Sequence, residues 1–518
     1  MTISRRSLIH RVGHAGGAAA VYRTMAAMGL LPVPAAYAGP PSLPPGSGAG
    51  KHVAILGAGL AGMAAALELG KAGYRITLLE ARDRAGGRNW TLRAGDRVVE
   101  AGSTQEVAWD AEPHLYFNPG PGRIPFHHEA LLSYCRELGV PLEIMSNDHR
   151  AAWLHDEKGF DGKRQRARRV IADERGYVAE LAAKALDRAA LAEPVTAEDR
   201  GRLRAMLRSF GALDRDLAYK GSSRGGFTDP PGGGDAPGKL SEPLDLRRLL
   251  QADFWQYKTS FTEGFLQSPV MLQPVGGMGR IGEAFARRLG PAITTQAEVT
   301  ALRRTGSGAR VEWRNLRDGS AHAIEADHVI CTIPLPVLAD IPADFAPATK
   351  AAIAAPEYVP AGKIAFQAER RFWELDDAIY GGLSWTTRDI TQIWYPSAGL
   401  HQRKGILVGA YIWSDREGLA FAARSPAERI TPVLADGEHL HPGGAQHLGH
   451  AISVAWPNIP HNRGGWAEWS RDARRDHYRT LTAGDGPFHF AGEHMSYITG
   501  WQEGAILSAH AAVRSVAG

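Results

Sequence analysis

Three glycines near the start of the chain have the spacing G-x-G-x-x-G, and an acidic residue follows them at a distance that suits nucleotide binding. Gly57 permits a tight turn, Gly59 lets the backbone approach a pyrophosphate, and Gly62 lets a helix pack close to a strand. The carboxylate of Glu80 can accept hydrogen bonds from an adenosine ribose, and it should repel a 2′-phosphate. These residue types at this spacing predict a dinucleotide site.

The segments around the glycines have the patterns that such a site needs. His52–Leu56 is an apolar run typical of a buried parallel strand, a helical pattern extends from Ala61 to about Ala72, and a second strand, Arg75–Leu79, ends at Glu80. A helix that begins at the glycine turn directs free N–H groups and the positive end of its dipole at phosphates. The alternative, a glycine-rich turn that binds nothing, does not account for the strand, the helix and the acid together.

Length and composition indicate a globular protein of two or three domains, because 518 residues exceed one ordinary domain. Hydrophobic residues make up 44% and charged residues 22%, as is usual for globular chains. The formal net charge of +4 is small for this length. We therefore expect no nucleic-acid partner.

The first 38 residues have the features of an export signal. Arg5-Arg6 lies in a segment that resembles a twin-arginine signal, an Ala/Gly-rich stretch follows, and Ala36-Tyr37-Ala38 is a possible A-x-A cleavage site. The alternative is a disordered basic tail. Arg23 within the apolar stretch argues against a transmembrane helix, so we expect no stable membrane insertion. We expect twin-arginine export to the periplasm or the medium, with residues 39–50 as a linker.

The chain has two cysteines, which are too few for a disulfide framework or a metal site. Cys331 lies in an apolar strand pattern and Cys135 in an apparent amphipathic helix. We expect both to be packing residues and no metal to be bound.

Motifs at both ends of the chain resemble the flavin amine oxidase family, and most closely its FAD-dependent L-amino acid oxidases. Arg84-Ala85-Gly86-Gly87-Arg88 is similar to the family loop that touches the FAD phosphates and ring, and Ala491-Gly492-Glu493 is similar to a strand end that reaches the ribityl or pyrophosphate region. Gly500–Ala505 resembles the start of the final helix, whose N-terminus faces the flavin pyrimidine. The resemblance implies FAD, held non-covalently because neither cysteine matches the one that carries covalent flavin in mammalian-type monoamine oxidases.

The resemblance and the glycine motif together give a predicted set of FAD-binding residues. They are Gly57, Ala58, Gly59, Leu60, Ala61, Gly62, Glu80, Ala81, Arg82, Gly86, Gly87, Arg88, Gly120, Pro121, Gly122, Arg123, Val299, Gly492, Glu493, Gly500, Trp501, Gln502 and Ala505.

The resemblance also implies a substrate site. Arg123, in a Pro/Gly turn before a predicted helix over 128–138, matches the arginine that grips the substrate carboxylate, although a surface arginine would fit such a loop. Tyr395 matches a tyrosine that contacts the same carboxylate, with a half-buried strand tyrosine as the alternative. Gly500 and Trp501 would wall the site. Lys363 matches the catalytic lysine held near flavin N5 through a water, and the alternative is a strand lysine that faces solvent.

The implied reaction is FAD-dependent oxidative deamination of an L-amino acid, by hydride transfer from Cα to flavin N5. Its products would be a 2-oxo acid, ammonia and hydrogen peroxide, with O2 as the second substrate. Two alternatives remain within the family: an oxidase of monoamines or polyamines, and a monooxygenase of the tryptophan type that yields an amide. A third is a flavoprotein-like fold that binds without turnover. We further expect a homo-oligomer, a dimer.

The implied fold is α/β, with a Rossmann-like FAD domain of the glutathione-reductase type, a mixed-sheet substrate domain and a helical insert. The predicted FAD domain combines residues 51–96, 270–355 and 480–518. The substrate domain takes 97–162 and 356–479, and the helical domain takes 163–269.

Overall fold

The predicted βαβ unit lies at the centre of a five-stranded parallel sheet. The computed structural model describes residues 37–187 and 196–518. The sheet order is Ile293–Thr294, Arg75–Leu79, His52–Leu56, His328–Cys331 and Phe488–Phe490. Every residue of His52–Leu56 is buried, as expected for a parallel strand covered on both faces. The first two predicted strands have the predicted bounds, and the helix between them is Leu60–Lys71.

A seven-stranded mixed sheet forms the second layer of the fold. Its order is Leu448–Ala455, Gly362–Ala368, Gly405–Ile412, Gln392–Trp394, Leu383–Thr386, Trp153–His155 and Gln165–Arg166. Gly362–Ala368 is paired on both sides and is buried at all seven positions. Any side chain on this strand is therefore enclosed by protein.

The described ranges also contain smaller sheets. Three antiparallel strands, Ala297–Arg304, Ala309–Asn315 and Ala321–Ala326, follow the crossover from the parallel sheet. A second three-stranded sheet has the order Ile124–Pro125, Met271–Pro274 and Leu142–Met145. The two-stranded pairs are Arg97–Glu100 with Ser103–Glu106, Phe227–Asp229 with Lys239–Leu240, and Glu357–Tyr358 with Ala467–Glu468.

The helices predicted at about 61–72 and 128–138 are Leu60–Lys71 and Glu129–Glu137 in the structure. The described ranges contain thirteen α-helices. They are Leu60–Lys71, Glu129–Glu137, Ala167–Asp187, Ala197–Gly211, Leu246–Gln251, Gly279–Leu289, Leu335–Leu338, Pro347–Ile353, Phe372–Leu375, Asp415–Ala423, Ile430–Gly437, Arg471–Ala483 and Gln502–Ala517. Ala197–Gly211 begins at a capping box, because Thr196 and Asp199 bond each other's backbone N–H groups.

The domain boundaries stay a prediction, but the sheets bear on them. All five parallel strands come from the three segments assigned to the FAD domain. Gln165–Arg166 extends the seven-stranded sheet, although it lies inside the segment assigned to the helical domain. The described residues 43–187 and 196–518 form one compact unit. The predicted twin-arginine motif lies outside the described residues, and among those described no helix is long and apolar enough to cross a membrane.

Candidate active site

A cavity of about 470 Å³ lies at the carboxyl ends of the parallel strands. Gly57, Glu80 and Thr332 line it, and each comes directly after a strand of the parallel sheet. Gly492 lines it from the end of the edge strand Phe488–Phe490. Ligands of open α/β sheets bind in this position, because the loops and helix N-termini after the strands converge there.

The three motif glycines differ in what a side chain would meet. A Cβ on Gly62 would lie 2.0 Å from the carbonyl oxygen of Gly57, so the helix and the turn can pack together only if residue 62 is glycine. Gly57 has φ +104°, in the left-handed region that favours glycine. A Cβ on Gly59 would meet no protein atom within 4 Å, and Gly59 borders the cavity. The backbone at Gly59 is therefore open to a ligand.

The carboxylate of Glu80 is buried and fixed at the cavity wall. Its Oε2 accepts a hydrogen bond from the Ala58 N–H (2.8 Å), and its Oε1 accepts one from the Arg82 N–H (2.9 Å). Each carboxylate oxygen has a second lone pair, so both bonds leave acceptor capacity toward the cavity. This arrangement is compatible with the predicted contact to a ribose.

Glu493 joins the two ends of the chain at the same cavity. Its Oε1 accepts a hydrogen bond from Arg88 Nη1 (2.9 Å), and its Oε2 accepts one from the Gly500 N–H (2.9 Å). Gly500 has φ +79°, and a Cβ there would lie 3.2 Å from the Trp466 ring. The carboxylate thus holds the two predicted flavin loops, around Arg88 and around Gly500, in one position.

Two buried amide atoms of the cavity wall indicate a polar ligand. Gln502 Nε2 donates to Asn89 Oδ1 (3.1 Å), but Gln502 Oε1 and Asn89 Nδ2 have no hydrogen-bond partner among the described residues. A buried donor and a buried acceptor without partners are costly, and both side chains line the cavity. Gln502 also starts the last helix, whose positive end suits the negative charge of a reduced flavin. The wall fits FAD in these respects.

Most of the predicted FAD-binding residues line this one cavity. They are Gly57, Gly59, Leu60, Ala61, Glu80, Ala81, Arg82, Gly86, Gly87, Arg88, Gly120, Pro121, Val299, Gly492, Glu493, Gly500, Trp501, Gln502 and Ala505. Ala58 and Gly62 are buried behind the glycine turn, and Gly122 lines a neighbouring cavity of about 70 Å³. Arg123 borders neither cavity and is placed by other contacts.

Arg123 is buried in an aromatic enclosure beside the cavity. Its guanidinium carbon lies 4.6 Å from the ring centroid of Trp394, 5.3 Å from that of Trp501 and 5.7 Å from that of Phe261. Burial lowers the pKa of Arg123 to about 10, so the group stays protonated at neutral pH. Among residues 37–187 and 196–518, no carboxylate forms an ion pair with it, and its hydrogen-bond partner is the amide oxygen of Gln267.

The structure corrects the predicted role of Tyr395. Its hydroxyl lies 2.6 Å from Ser384 Oγ and 2.6 Å from His441 Nε2, in a buried polar cluster that does not include Arg123. Successive strand residues point to opposite faces of a sheet, so Trp394 faces Arg123 and Tyr395 does not. Two tyrosines, Tyr411 and Tyr257, have pKa values that burial raises and the Arg123 charge partly lowers. Of these, Tyr411 lines the cavity, and its ring centroid lies 5.4 Å from that of Trp394. We therefore replace Tyr395 with Tyr411 as a candidate substrate contact.

Lys363 lies inside the protein, which excludes the alternative of a solvent-facing strand lysine. Its ammonium donates to the carbonyl oxygens of Asn118 (3.1 Å) and Gly120 (2.6 Å), and it lies 4.4 Å from the Tyr411 ring centroid. Burial, and then the charge of Arg123, lower its pKa to about 7. Lys363 borders the smaller cavity, next to the loop that carries Gly120 and Arg123. Its predicted role near flavin N5 stays a prediction.

Two histidines near the site, His128 and His494, are neutral at physiological pH. Burial lowers the pKa of His128 to about 3 and that of His494 to about 4. The His128 ring lies 5.1 Å from that of Trp501, in an edge-to-face arrangement. A group with so low a pKa holds a proton poorly at pH 7, so neither histidine suits general-base catalysis.

One wall of the cavity, the loop 460–463, is not predicted from the sequence. Arg82 donates to the Pro460 carbonyl oxygen (2.7 Å) and to Asn462 Oδ1, while Arg463 pairs with Asp340. His461 and Arg463 have positive φ, which no local sequence signal announces. Trp456 and Trp466, on either side of the loop, also line the cavity.

Comparisons with known proteins agree with this geometry. Residues 60–517 match the family of flavin containing amine oxidoreductases. The flavin-dependent L-tryptophan oxidase RebO of Lentzea aerocolonigenes is 28% identical over 90% of this chain and 98% of its own, and an L-amino-acid oxidase of Siganus canaliculatus is 26% identical over 90% and 85%. The solved structure of cyclohexylamine oxidase from Brevibacterium oxydans IH-35A has a TM-score of 0.59 at 17% identity, covering 90% of this chain and 98% of its own.

The chain therefore belongs to the flavin containing amine oxidoreductase family. It is an enzyme of that family with the corresponding fold, and its cofactor is FAD. Non-covalent attachment stays a prediction. Both cysteines of the chain are buried and free.

Proposed function

We propose that this enzyme oxidises an L-amino acid to its 2-oxo acid, releasing ammonia and hydrogen peroxide. The observation that carries the proposal is Arg123, a buried and charged guanidinium with no carboxylate partner among the described residues. A buried charge without a counter-charge is costly in the protein interior. A substrate carboxylate supplies that counter-charge, whereas a simple amine does not.

The surroundings of Arg123 support a role in orientation. Trp394 and Trp501 enclose the guanidinium, and Trp501 also lines the cofactor cavity. A carboxylate held there fixes where Cα lies relative to the cofactor, and such positioning lowers the barrier of the chemical step. A bound flavin would supply the acceptor for a hydride from Cα, and dioxygen would be the final electron acceptor. The substrate amine must be neutral for this step, so we expect the rate to rise with pH.

A peroxide-release screen over L-amino acids, D-amino acids and amines tests the proposal. The expected result is peroxide with L-amino acids, with ammonia and 2-oxo acid in equal amounts. An amide product without peroxide would indicate a monooxygenase instead. A parent enzyme that prefers amines would overturn the proposal in favour of an amine oxidase.

Replacing Arg123 tests the carboxylate contact. A charged hydrogen bond contributes roughly 1.5–3 kcal/mol, so Arg123→Ala should lower kcat/KM for amino acids about ten- to hundredfold or more. Arg123→Lys should rescue little, because lysine cannot present a planar fork. Oxidation of the decarboxylated amine, already poor, should change little in either variant. Unchanged amino acid kinetics in Arg123→Ala would contradict the contact.

We also propose that the protein is exported by the twin-arginine route and is active as a homodimer. The basis for export is Arg5-Arg6 with Ala36-Tyr37-Ala38. N-terminal sequencing of protein from the native host should give a start near Gly39, and an intact Met1 on cytoplasmic protein would refute export. Light scattering of the purified protein measures the oligomeric state.

A further inference from the structure

The contact between Arg123 and Gln267 uses one defined edge of the guanidinium. Arg123 Nε lies 3.1 Å and Nη2 2.5 Å from Gln267 Oε1, so both N–H groups converge on a single amide oxygen. The guanidinium has five N–H donors in a planar fork. The edge formed by Nη1 and Nη2 therefore keeps the donors needed for a bidentate carboxylate.

Gln267 is held in place by its backbone. It ends the short 3₁₀ turn Phe265–Gln267, and its N–H donates to the Gly264 carbonyl oxygen (2.8 Å). Its own carbonyl oxygen accepts from Nδ2 of the buried Asn147 (2.6 Å). A fixed backbone limits where the side-chain amide can lie, so the amide orients the arginine rather than following it.

Gln267 is a neutral partner for Arg123, which is unusual among the deeply buried arginines in the described part of the chain. The other two deeply buried arginines each pair with a carboxylate: Arg371 with Glu374, and Arg429 with Glu100. In each of those pairs the two charges neutralise each other, so the arginine does not attract a further anion. The amide of Gln267 accepts the same two N–H groups without adding negative charge, so Arg123 keeps its full positive charge.

We propose that Gln267 is a specificity-determining residue, which orients the Arg123 fork while leaving its charge free for a carboxylate-bearing substrate. The inference rests on the proposed function and deepens it. A glutamate at position 267 has the same reach, but it would neutralise Arg123 and repel the substrate carboxylate. The preference for amino acids over amines is then set by the pair Arg123 and Gln267, not by Arg123 alone.

The test compares Gln267→Glu and Gln267→Met with a matched control, Gln296→Glu. Gln296 also accepts a hydrogen bond from an arginine, Arg317, but this pair is exposed and lies in turns outside the strands. In Gln267→Glu we expect KM for the best amino acid to rise at least tenfold, and the kcat/KM ratio of amine to amino acid to rise at least tenfold. Gln267→Met keeps the Arg123 charge and loses only orientation, so it should raise KM a few-fold without changing the ratio as much.

A binding measurement separates recognition from turnover. Benzoate is an inert carboxylate, and its binding beside the flavin can be followed by the change in flavin absorbance. Its affinity should fall at least tenfold in Gln267→Glu and stay within about twofold of the parent in Gln296→Glu. Flavin content and thermal unfolding of each variant show whether the fold is retained.

The outcomes distinguish the two proposals. If the parent prefers amines, or if Arg123→Ala leaves amino acid oxidation unchanged, the proposed function fails. If the parent prefers amino acids and Arg123→Ala is impaired, but folded Gln267→Glu behaves like Gln296→Glu, the role of Gln267 alone is overturned. If Gln267→Met shifts the substrate ratio as far as Gln267→Glu does, the charge argument is wrong.

Discussion

Trp394 and Tyr395 are neighbours in the chain, yet their side chains belong to different hydrophobic clusters. Trp394 belongs to the same cluster as Phe261 and Trp385, whereas Tyr395 belongs to another cluster and packs against Trp373. The guanidinium carbon of Arg123 lies 4.6 Å from the centroid of the Trp394 ring, while the Tyr395 hydroxyl contacts His441. Strand alternation thus decides which of two adjacent aromatic residues reaches the candidate substrate site.

Tyr411 lines the cavity, whereas the Tyr395 hydroxyl bonds Ser384 and His441 instead. We therefore expect opposite results for Tyr411→Phe and Tyr395→Phe. Tyr411→Phe should lower kcat/KM for amino acids by a factor of about two to ten, the equivalent of roughly 0.5–1.5 kcal/mol for one neutral hydrogen bond. Tyr395→Phe should leave kcat/KM nearly unchanged and lower the unfolding temperature, because Ser384 and His441 lose a buried partner. Steady-state kinetics and thermal unfolding on both variants measure this. The reverse pattern would restore Tyr395 to the substrate site.

Lys363 should act in the reaction with oxygen more than in substrate oxidation. A buried positive charge stabilises negative charge that develops on dioxygen. Since the pKa of Lys363 is about 7, it loses that charge as pH rises through neutrality, and the parent reoxidation rate should fall over the same range. Lys363→Met should slow reoxidation roughly tenfold or more and remove the pH dependence. Stopped-flow measurement of flavin reduction by substrate and of flavin reoxidation by oxygen tests this role of Lys363. If Lys363→Met slows both half-reactions equally, the role is contradicted.

Alanine substitutions at the second and third glycines of the motif should separate cofactor binding from folding. Gly62→Ala forces a Cβ to within 2.0 Å of a backbone oxygen, so it should destabilise the protein by about 1–3 kcal/mol or more. Gly59→Ala meets no protein atom within 4 Å, so the apoprotein should unfold as the parent does but retain less flavin. Apoprotein unfolding and flavin absorbance distinguish them. Equal flavin content in Gly59→Ala and parent would show that the cofactor does not approach Gly59.

The buried pair Arg429 and Glu100 should matter for stability and not for chemistry. Arg429 Nη1 and Nη2 donate to the two oxygens of Glu100 (2.9 and 2.8 Å), and both side chains are almost fully enclosed. Arg429→Met leaves a buried carboxylate unpaired and should cost about 3–5 kcal/mol. Adding Glu100→Gln should recover part of that loss, because the amide oxygen can still accept from the Ala455 N–H. Thermal unfolding of the two single variants and of the double variant measures the interaction between Arg429 and Glu100. If the stability losses of the two single variants simply add up in the double variant, the two side chains do not stabilise each other.

The sequence predicted the cofactor half of the site far better than the substrate half. A tight turn, close helix–strand packing and a fixed strand–helix–strand order require particular residue types at Gly57, Gly62 and Glu80. The positions of these residues in the fold can therefore be predicted from their types and spacing. Tyr395 directly follows the strand Gln392–Trp394, and Tyr411 lies within the strand Gly405–Ile412. Nothing local in the sequence says which of the two side chains lies on the Arg123 side of the sheet. That choice depends on sheet pairing, which single-sequence patterns do not contain.

The remaining omissions have a similar cause. Gln267 lies in a short 3₁₀ turn, and Pro460–Arg463 is an irregular loop with two residues of positive φ. Neither has the periodicity that reveals helices and strands. Both segments contribute through long-range contacts, with Arg123 and with Arg82, that exist only in the folded chain.

The ion pair between Arg88 and Glu493 has a consequence for how the protein matures. The two residues are 405 positions apart, so the cavity wall that they share is absent until nearly the whole chain has been made and has folded back on itself. Contacts of such long range form late and slowly. FAD that binds only the completed cavity favours this late state by mass action. FAD should therefore bind only when folding is nearly complete. A nascent chain that ends before Glu493 should not retain flavin.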